Sequence, residues 1–400
     1  MNIIIAPDSF KGSLTAVAVA DAIEQGIRAV VPDAELVRVP LADGGEGTTQ
    51  ALVDATGGRF VPQRVFGPLR EPVDAFFGIL GDDTTGVVEV AAAAGLAMVP
   101  PERRDPRLTT SYGVGQLIAA AMDKGCKKII VAVGGSATND GGAGMVQALG
   151  ASLMDENGAQ IGPGAAELAR LAKIDVSHID QRIAQTQFYV ATDVSNPLCG
   201  PEGASAVFGP QKGATPEMVA ELDAILVHYA RIVARDLKQE VADRPGAGAG
   251  GGLGAGLMAF LGAQARMGIA VVLEAVDFES YLEAADLVIT GEGKIDAQTA
   301  YGKTLTGVGR LATRHGVPVV ALAGSVSEEA DRLAEIGISA AISVLPGPMS
   351  EAEAMACAGL LVQDAAEKVM RLILTGREVG EGRWKLPGPA ARAPGHGEAA

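Results

Sequence analysis

Four hundred residues exceed one ordinary core of roughly 100–150 residues, so the chain is expected to divide into two domains. Hydrophobic residues make up 48% of it and aromatics only 4%, so its cores must be built from Val, Ile, Leu and Ala, as in buried parallel strands flanked by helices. A formal net charge of −16 argues against nucleic acid or an anionic membrane as a broad partner, yet leaves room for a small anion held by a few lysines, backbone N–H groups and a cation.

The chain opens on an apolar run, Asn2 to Ala6, without the basic and long apolar regions of a signal peptide. The turn-rich loop APDSFKGS and a helical period from Ser13 to Val31 follow. A second unit has strand residues Leu36, Val37 and Val39, the loop PLADGGEG and a helix from about Thr48 to Ala55. Two βα units in series imply parallel strands joined by helical crossovers. From Arg59 to Val90 the segments RFVPQRV, PVDAFFGIL and TGVVEV alternate in polarity and read as inserted antiparallel strands. The βα rhythm returns with a helix near Tyr112 to Met122, a strand from Lys128 to Val133, and the loop GGSATNDGG opening a helix that ends near Leu149. Between Ala151 and Glu283 come a hairpin-like MDENG, a strand at Phe188 to Thr192, a helix from about Pro216 to Leu237 and the run PGAGAGGGLGAGL. Strands at Asp286 to Thr290, Val317 to Ala323 and Ala340 to Leu345 each precede a helix, the last from Ser350 to about Leu374. No apolar run reaches the roughly 18–20 residues that span a bilayer. The three cysteines, Cys126, Cys199 and Cys357, are far apart and support neither a disulfide framework nor a zinc site. A cytoplasmic location is expected.

Strands starting near Ile3, Leu36, Ile129, Leu287, Val319 and Ala341 predict an α/β fold: a doubly wound, Rossmann-like parallel sheet of order 3-2-1-4-5-6 with a second mixed α/β domain inserted into it. The expected boundaries are 1–58, 112–150 and 281–376 for the first domain and 59–111 and 151–280 for the second, with 377–400 a disordered tail rich in Gly, Pro and Ala. Deleting Ala390 to Ala400 should leave activity and melting temperature unchanged; a large loss of either would show that the tail docks on the core. In this strand order the crevice lies where strand 1 meets strand 4, which sets APDSFKGS beside TGEGKID.

Several loops carry candidate chemistry. Asp8, Ser9, Lys11 and Ser13 stand before a helix N-terminus, where an anion can meet free N–H groups, though Ser13 capping that helix explains the pattern equally well. Asp43 and Glu46 lie among Gly44, Gly45 and Gly47 and suit Mg²⁺ held through water, or a plain helix entry. Gly134, Gly135, Ser136, Ala137, Thr138, Asn139, Asp140, Gly141 and Gly142 form the strongest local signal: small polar residues between a buried strand and a helix, as in a phosphate cradle. Asp193 ends a strand as a general base or metal ligand would, or caps a turn with Asn196 before Pro197; Gly209-Pro210-Gln211-Lys212-Gly213 follows. Gly291, Glu292, Gly293, Lys294 and Asp296 follow the fourth strand and precede Gly302, Lys303 and Thr304. A Walker A loop is rejected there, because Ala297 holds its first glycine position and the motif starts too far from the strand, although Lys303 can still meet a phosphate. Neither dinucleotide-like pattern, one at Gly246 and one at Gly307, opens a helix directly after a strand, and a dehydrogenase would need such a fingerprint after the first strand.

Taken together, APDSFKGSL, PLADGGEGT, TSYGVGQLI, GGSATNDGG, ATDVSNPLCGP, VFGPQKGA and ADLVITGEGKID resemble the glycerate kinase family of bacterial type, over about Met1 to Leu374. The segment at Asp296, Ala297, Gln298 and Thr299 departs from the family's usual D-G-Q-S. The resemblance implies phosphoryl transfer from ATP to D-glycerate at the 2-hydroxyl, with Mg²⁺ and two α/β domains closing on the substrates. It leaves open phosphorylation of the 3-hydroxyl or of another small hydroxy acid, a nucleotide- or acid-sensing module without turnover, and assembly into homo-oligomers. Within this frame Asp193 is expected to be the base. Asp8, Lys11 and Asp296 are expected beside it in catalysis, and Asp43 and Glu46 on the metal. Nucleotide binding is expected at Gly134, Gly135, Ser136, Thr138, Asn139, Asp140, Lys212, Gly291, Glu292, Gly293, Lys294 and Lys303.

Overall fold

The computed structural model describes residues 1–45, 47–295, 304–327 and 333–381. The calls on Glu46, Asp296 and Lys303 therefore lie outside the described residues.

Two sheets carry the chain. The first has five parallel strands in the order β13-β12-β11-β1-β2: β1 (Asn2–Ile5), β2 (Glu35–Arg38), β11 (Leu287–Ile295), β12 (Val319–Val326) and β13 (Ala340–Ser343). The second has six strands in the order β10-β9-β6-β5-β4-β3: β3 (Arg59–Phe66), β4 (Pro72–Ile79), β5 (Thr85–Glu89), β6 (Lys128–Ala132), β9 (Gln187–Ala191) and β10 (Gln264–Arg266). In it β3, β4 and β5 pair antiparallel, whereas β5, β6, β9 and β10 are parallel. A short ribbon of β7 (Ser152–Met154) and β8 (Lys173–Asp175) stands apart.

The strand starting near Ile129 thus lies in the second sheet, between β5 and β9, and the first sheet has five strands instead of the expected six in the order 3-2-1-4-5-6. The helices α3 (Tyr112–Asp123) and α4 (Ala143–Ala148) go with it, contributing Val114, Leu117, Ile118, Met145 and Val146 to the core of the six-stranded sheet. The physical reason is that a strand buried on both faces has the same apolar run in either sheet, so periodicity cannot say which sheet it joins. The crossover from β5 through α3 to β6 is itself a complete βαβ unit, indistinguishable in sequence from those of the first sheet.

Alternation along the strands stacks the layers. Ile3 and Ile5 face one core with α1 (Ala16–Arg28), while Ile4 and Ala6 face another that also receives Val87, Ile130 and Ala191 from the second sheet. That shared middle layer holds α2 (Thr48–Thr56), α7 (Gly268–Ala275) and α8 (Thr304–Arg314), through Leu52, Val53, Ile269, Val272, Leu305 and Val308. The third core lies under α5 (Pro216–Leu237) and α6 (Ala249–Leu261). Each fully buried Ile, Leu or Val contributes roughly 1.5–3 kcal/mol, so the two sheets are joined by a continuous apolar layer. The final helix, α9 (Ala358–Gly380), packs on α1 and runs past residue 377, where a disordered tail was expected to begin. Helix starts follow local chemistry: Thr15 Oγ1 caps α1 by accepting from Ala18 N at 3.2 Å, and Thr215 caps α5 with Pro216 in its first turn. Among the described residues no helix is long and apolar enough to cross a membrane.

Candidate active site

The loops beyond the carboxyl ends of both sheets meet in one cleft. Strand-like pairing continues past β1 on both sides, with Asp8 N donating to Gly291 O at 2.8 Å and Leu41 N donating to Pro7 O at 2.9 Å. Asp8 and Asp43, at the ends of adjacent strands, therefore reach the same space. An outer cleft of about 1260 Å³ is lined by the Asp8–Val17 loop, by Asp43 and Gly45, and by Glu292, Gly293 and Lys294. An inner cavity of about 220 Å³ is lined by Ser136, Thr192, Asp193, Gln211 and Lys212. Asp43, Gly45, Gly134 and Gly135 line both, so the two spaces adjoin through these residues.

The charged groups differ in how they are held. Asp8 accepts from Ser9 N at 2.6 Å and from the Thr304 hydroxyl, and burial, reinforced by the nearby Asp43 carboxylate, pushes it up to about 6. Asp193 is exposed at the cavity wall, with Oδ1 accepting from Gly268 N at 3.0 Å at the start of α7. Lys212 is only 2% exposed. Its Nζ donates to Ser136 Oγ at 2.9 Å and to Thr138 O at 2.6 Å. Burial pulls this ammonium down to about 7, partly offset by the charge of Asp140.

The glycerate kinase family model matches residues 3–374. The chain belongs to the glycerate kinase family. The glycerate kinase of Bacillus subtilis strain 168 is 54% identical over 354 residues, covering 88% of this chain and 93% of that relative. The glycerate 2-kinase of Escherichia coli K12 is 51% identical over 354 residues, again covering 88% of this chain and 93% of the relative. A crystal structure of a candidate glycerate kinase 2 from Salmonella typhimurium LT2 matches with a TM-score of 0.87 at 51% identity, covering 94% of this chain and 99% of that one.

In this glycerate kinase family member the cleft gathers Asp8, Lys11, Asp43, Gly134, Gly135, Ser136, Asp193, Lys212, Glu292, Gly293 and Lys294. Gly291 lies behind it in β11, its carbonyl engaged by Asp8 N. Thr138, Asn139 and Asp140 line neither cavity and are fully buried. Asp140 instead ties the loop to α3: its carboxylate accepts from Ser111 N at 2.8 Å, Ser111 Oγ at 2.9 Å, and Gly142 N and Gly144 N, both at 3.2 Å. Burial raises its carboxyl despite these bonds. Asn139 Nδ2 donates to Ser205 Oγ at 2.9 Å. The nine-residue loop thus lines the cleft only along Gly134 to Ser136, and is scaffold from Thr138 to Asp140.

Sequence inspection overlooked Glu89, at the end of β5. Its carboxylate accepts from Gly47 N at 3.2 Å and from Thr49 N at 2.5 Å, fixing the start of α2 and the loop that carries Asp43. Its only signal was an acid in the otherwise apolar strand TGVVEV. Glu89→Gln should weaken both bonds and lower stability by roughly 1–3 kcal/mol, a loss that chemical denaturation checks.

Proposed function

We propose that this chain transfers the γ-phosphoryl group of ATP to D-glycerate, giving 2-phosphoglycerate, in the cytoplasm. The observation that carries this reading is the pair of adjoining cavities of unequal size, with acids and lysines in both. Similarity to relatives named glycerate kinase and glycerate 2-kinase supports the acceptor and the position. The outer cleft has room for a nucleoside triphosphate and the inner cavity for a three-carbon acid. Phosphoryl transfer needs little covalent help from the protein beyond positioning and charge neutralisation. Lys11 and Lys294 lie along the outer cleft for the triphosphate, and the bare backbone of Gly134 and Gly135 lets its terminal phosphate reach the inner cavity. Asp193 accepts the proton of the attacking hydroxyl.

The residues present fit Mg²⁺. Asp8 and Asp43 are carboxylates close enough to repel each other's charge, an arrangement that an oxygen-seeking divalent cation relieves. When bound, Mg²⁺ would neutralise phosphate charge beside Asp8 and Asp43.

The test is direct. Purified protein with ATP, Mg²⁺ and D-glycerate should release ADP only when glycerate is present, and NMR of the product should show phosphate on the 2-hydroxyl. A chelator should abolish the rate and excess Mg²⁺ restore it. Release of ADP without glycerate, or none from folded protein, would overturn the assignment; phosphate on the 3-hydroxyl would correct its position.

A further inference from the structure

We infer that Lys212 is the receptor for the acceptor's carboxylate, which makes the inner cavity selective for short 2-hydroxy acids over neutral polyols. The inference rests on the kinase reading above and moves Lys212 from the nucleotide to the acceptor.

A buried ammonium needs an anion or a full set of acceptors. Lys212 has three N–H groups, and the two bonds described go to neutral oxygens, Ser136 Oγ and Thr138 O. The carboxylate whose charge reaches it, Asp140, is already engaged by Ser111, Gly142 and Gly144. The positive charge is therefore held in place by a neutral frame and left for a partner that arrives through the cavity Lys212 lines. Ser136 Oγ and Thr138 O belong to the loop whose rigid half is anchored by Asp140, so the ammonium is positioned before any ligand enters.

The identity of that partner follows from size and company. A cavity of about 220 Å³ suits a three-carbon acid with the incoming phosphate, while the adjoining cleft of about 1260 Å³ offers adenosine with its triphosphate the larger space. Asp193 lines the same cavity and supplies the opposite charge. A 2-hydroxy acid carries on neighbouring carbons what these two side chains ask for: a carboxylate for Lys212 and a hydroxyl for Asp193. The shared wall at Asp43 and Gly134 is where the phosphate would enter. A polyol such as glycerol would leave the ammonium buried and unpaired, the situation in which polar sites discriminate most strongly.

The experiment compares Lys212→Met and Lys212→Arg with the wild-type enzyme, using D-glycerate and glycerol as acceptors. Lys212→Met should raise the KM for glycerate by roughly 10²-fold, the usual worth of a hydrogen-bonded charge pair, and leave the KM for ATP within about twofold. The preference for glycerate over glycerol in kcat/KM should shrink by a similar factor. A raised KM for ATP with an unchanged KM for glycerate would overturn the inference and return Lys212 to the nucleotide, while the kinase reading stands. If wild-type protein shows no glycerate-dependent ADP release, the kinase reading fails instead, and calorimetry of D-glycerate against glycerol still tests the pocket. Should Lys212→Met not fold, the same calorimetry on wild-type protein decides: equal binding of the two ligands would sink the proposal. Ser136→Ala, which removes one of the two acceptors that hold the ammonium, should shift the glycerate KM in the same direction by a smaller factor.

Discussion

Asp193→Asn should lower kcat by roughly 10²- to 10⁴-fold with little change in nucleotide affinity, because it removes the carboxylate proposed as proton acceptor. Asn has the same size, and its carbonyl oxygen can still accept from Gly268 N, the bond that holds Oδ1 at 3.0 Å. The side chain is exposed at the wall of the inner cavity, so no buried charge is lost with it. Its placement is tightly specified from behind: a Cβ on Gly268 would come within 1.8 Å of Asp43 O, so the start of α7, the Asp43 loop and Asp193 can approach only because residue 268 is glycine. The result separates two roles. A base is lost irrespective of cation concentration, whereas a metal ligand would show weakened affinity for Mg-ATP and partial recovery in excess Mg²⁺. A mutant with near-normal kcat would remove Asp193 from the mechanism and leave Asp8 as the next described carboxylate to test.

How much of this was legible in the sequence depends on the range of the interaction involved. Elements set by local periodicity and caps were readable, as with α5, expected from about Pro216 to Leu237 and observed over that span. The loops beyond β1 and β2 were legible for the same reason, since a strand followed by Gly and Asp before a helix is a local pattern. The loop expected at Gly291 to Lys294 is strand instead: β11 runs on to Ile295 beside β12, a pairing that its own Gly-rich residues do not announce. What failed depends on partners distant in sequence. Nothing near Lys128 says that β6 pairs with β5 and β9. Nothing near Asp140 says that its carboxylate will be consumed by Ser111, and an acid in a glycine-rich loop looks the same whether it faces a ligand or a scaffold. Lys212 was noticed for its charge, but its burial and its frame come from Ser136 and Thr138, more than seventy residues away. The run around Gly250 was read only as a failed dinucleotide fingerprint, and its role becomes visible only when the loop it supports is set beside it.

That role gives the second large effect expected. Gly250, Gly251 and Gly252 have φ of 62°, 73° and 86° at the start of α6, and Gly251 presses on the cradle loop: a Cβ there would stand 1.9 Å from Thr138 O and 2.8 Å from Asn139 Cα. Its carbonyl also accepts from Gly141 N at 3.1 Å. Gly251→Ala therefore combines left-handed strain with a collision against backbone, which together cost roughly 2–5 kcal/mol. The atom struck is the carbonyl that accepts from Lys212 Nζ, so relief of the clash displaces one of that ammonium's two described acceptors. Chemical denaturation should show the stability loss, and steady-state kinetics should show a glycerate KM raised well beyond any change in the KM for ATP. Gly250→Ala isolates the strain. It shares the positive φ, but its Cβ would meet nothing closer than 3.2 Å, so its stability loss should be only roughly 1–2 kcal/mol. Equal losses in the two variants would mean that backbone strain alone sets the requirement for glycine. A much larger loss at Gly251 would mean that this residue is glycine because Thr138, and through it Lys212, needs the space.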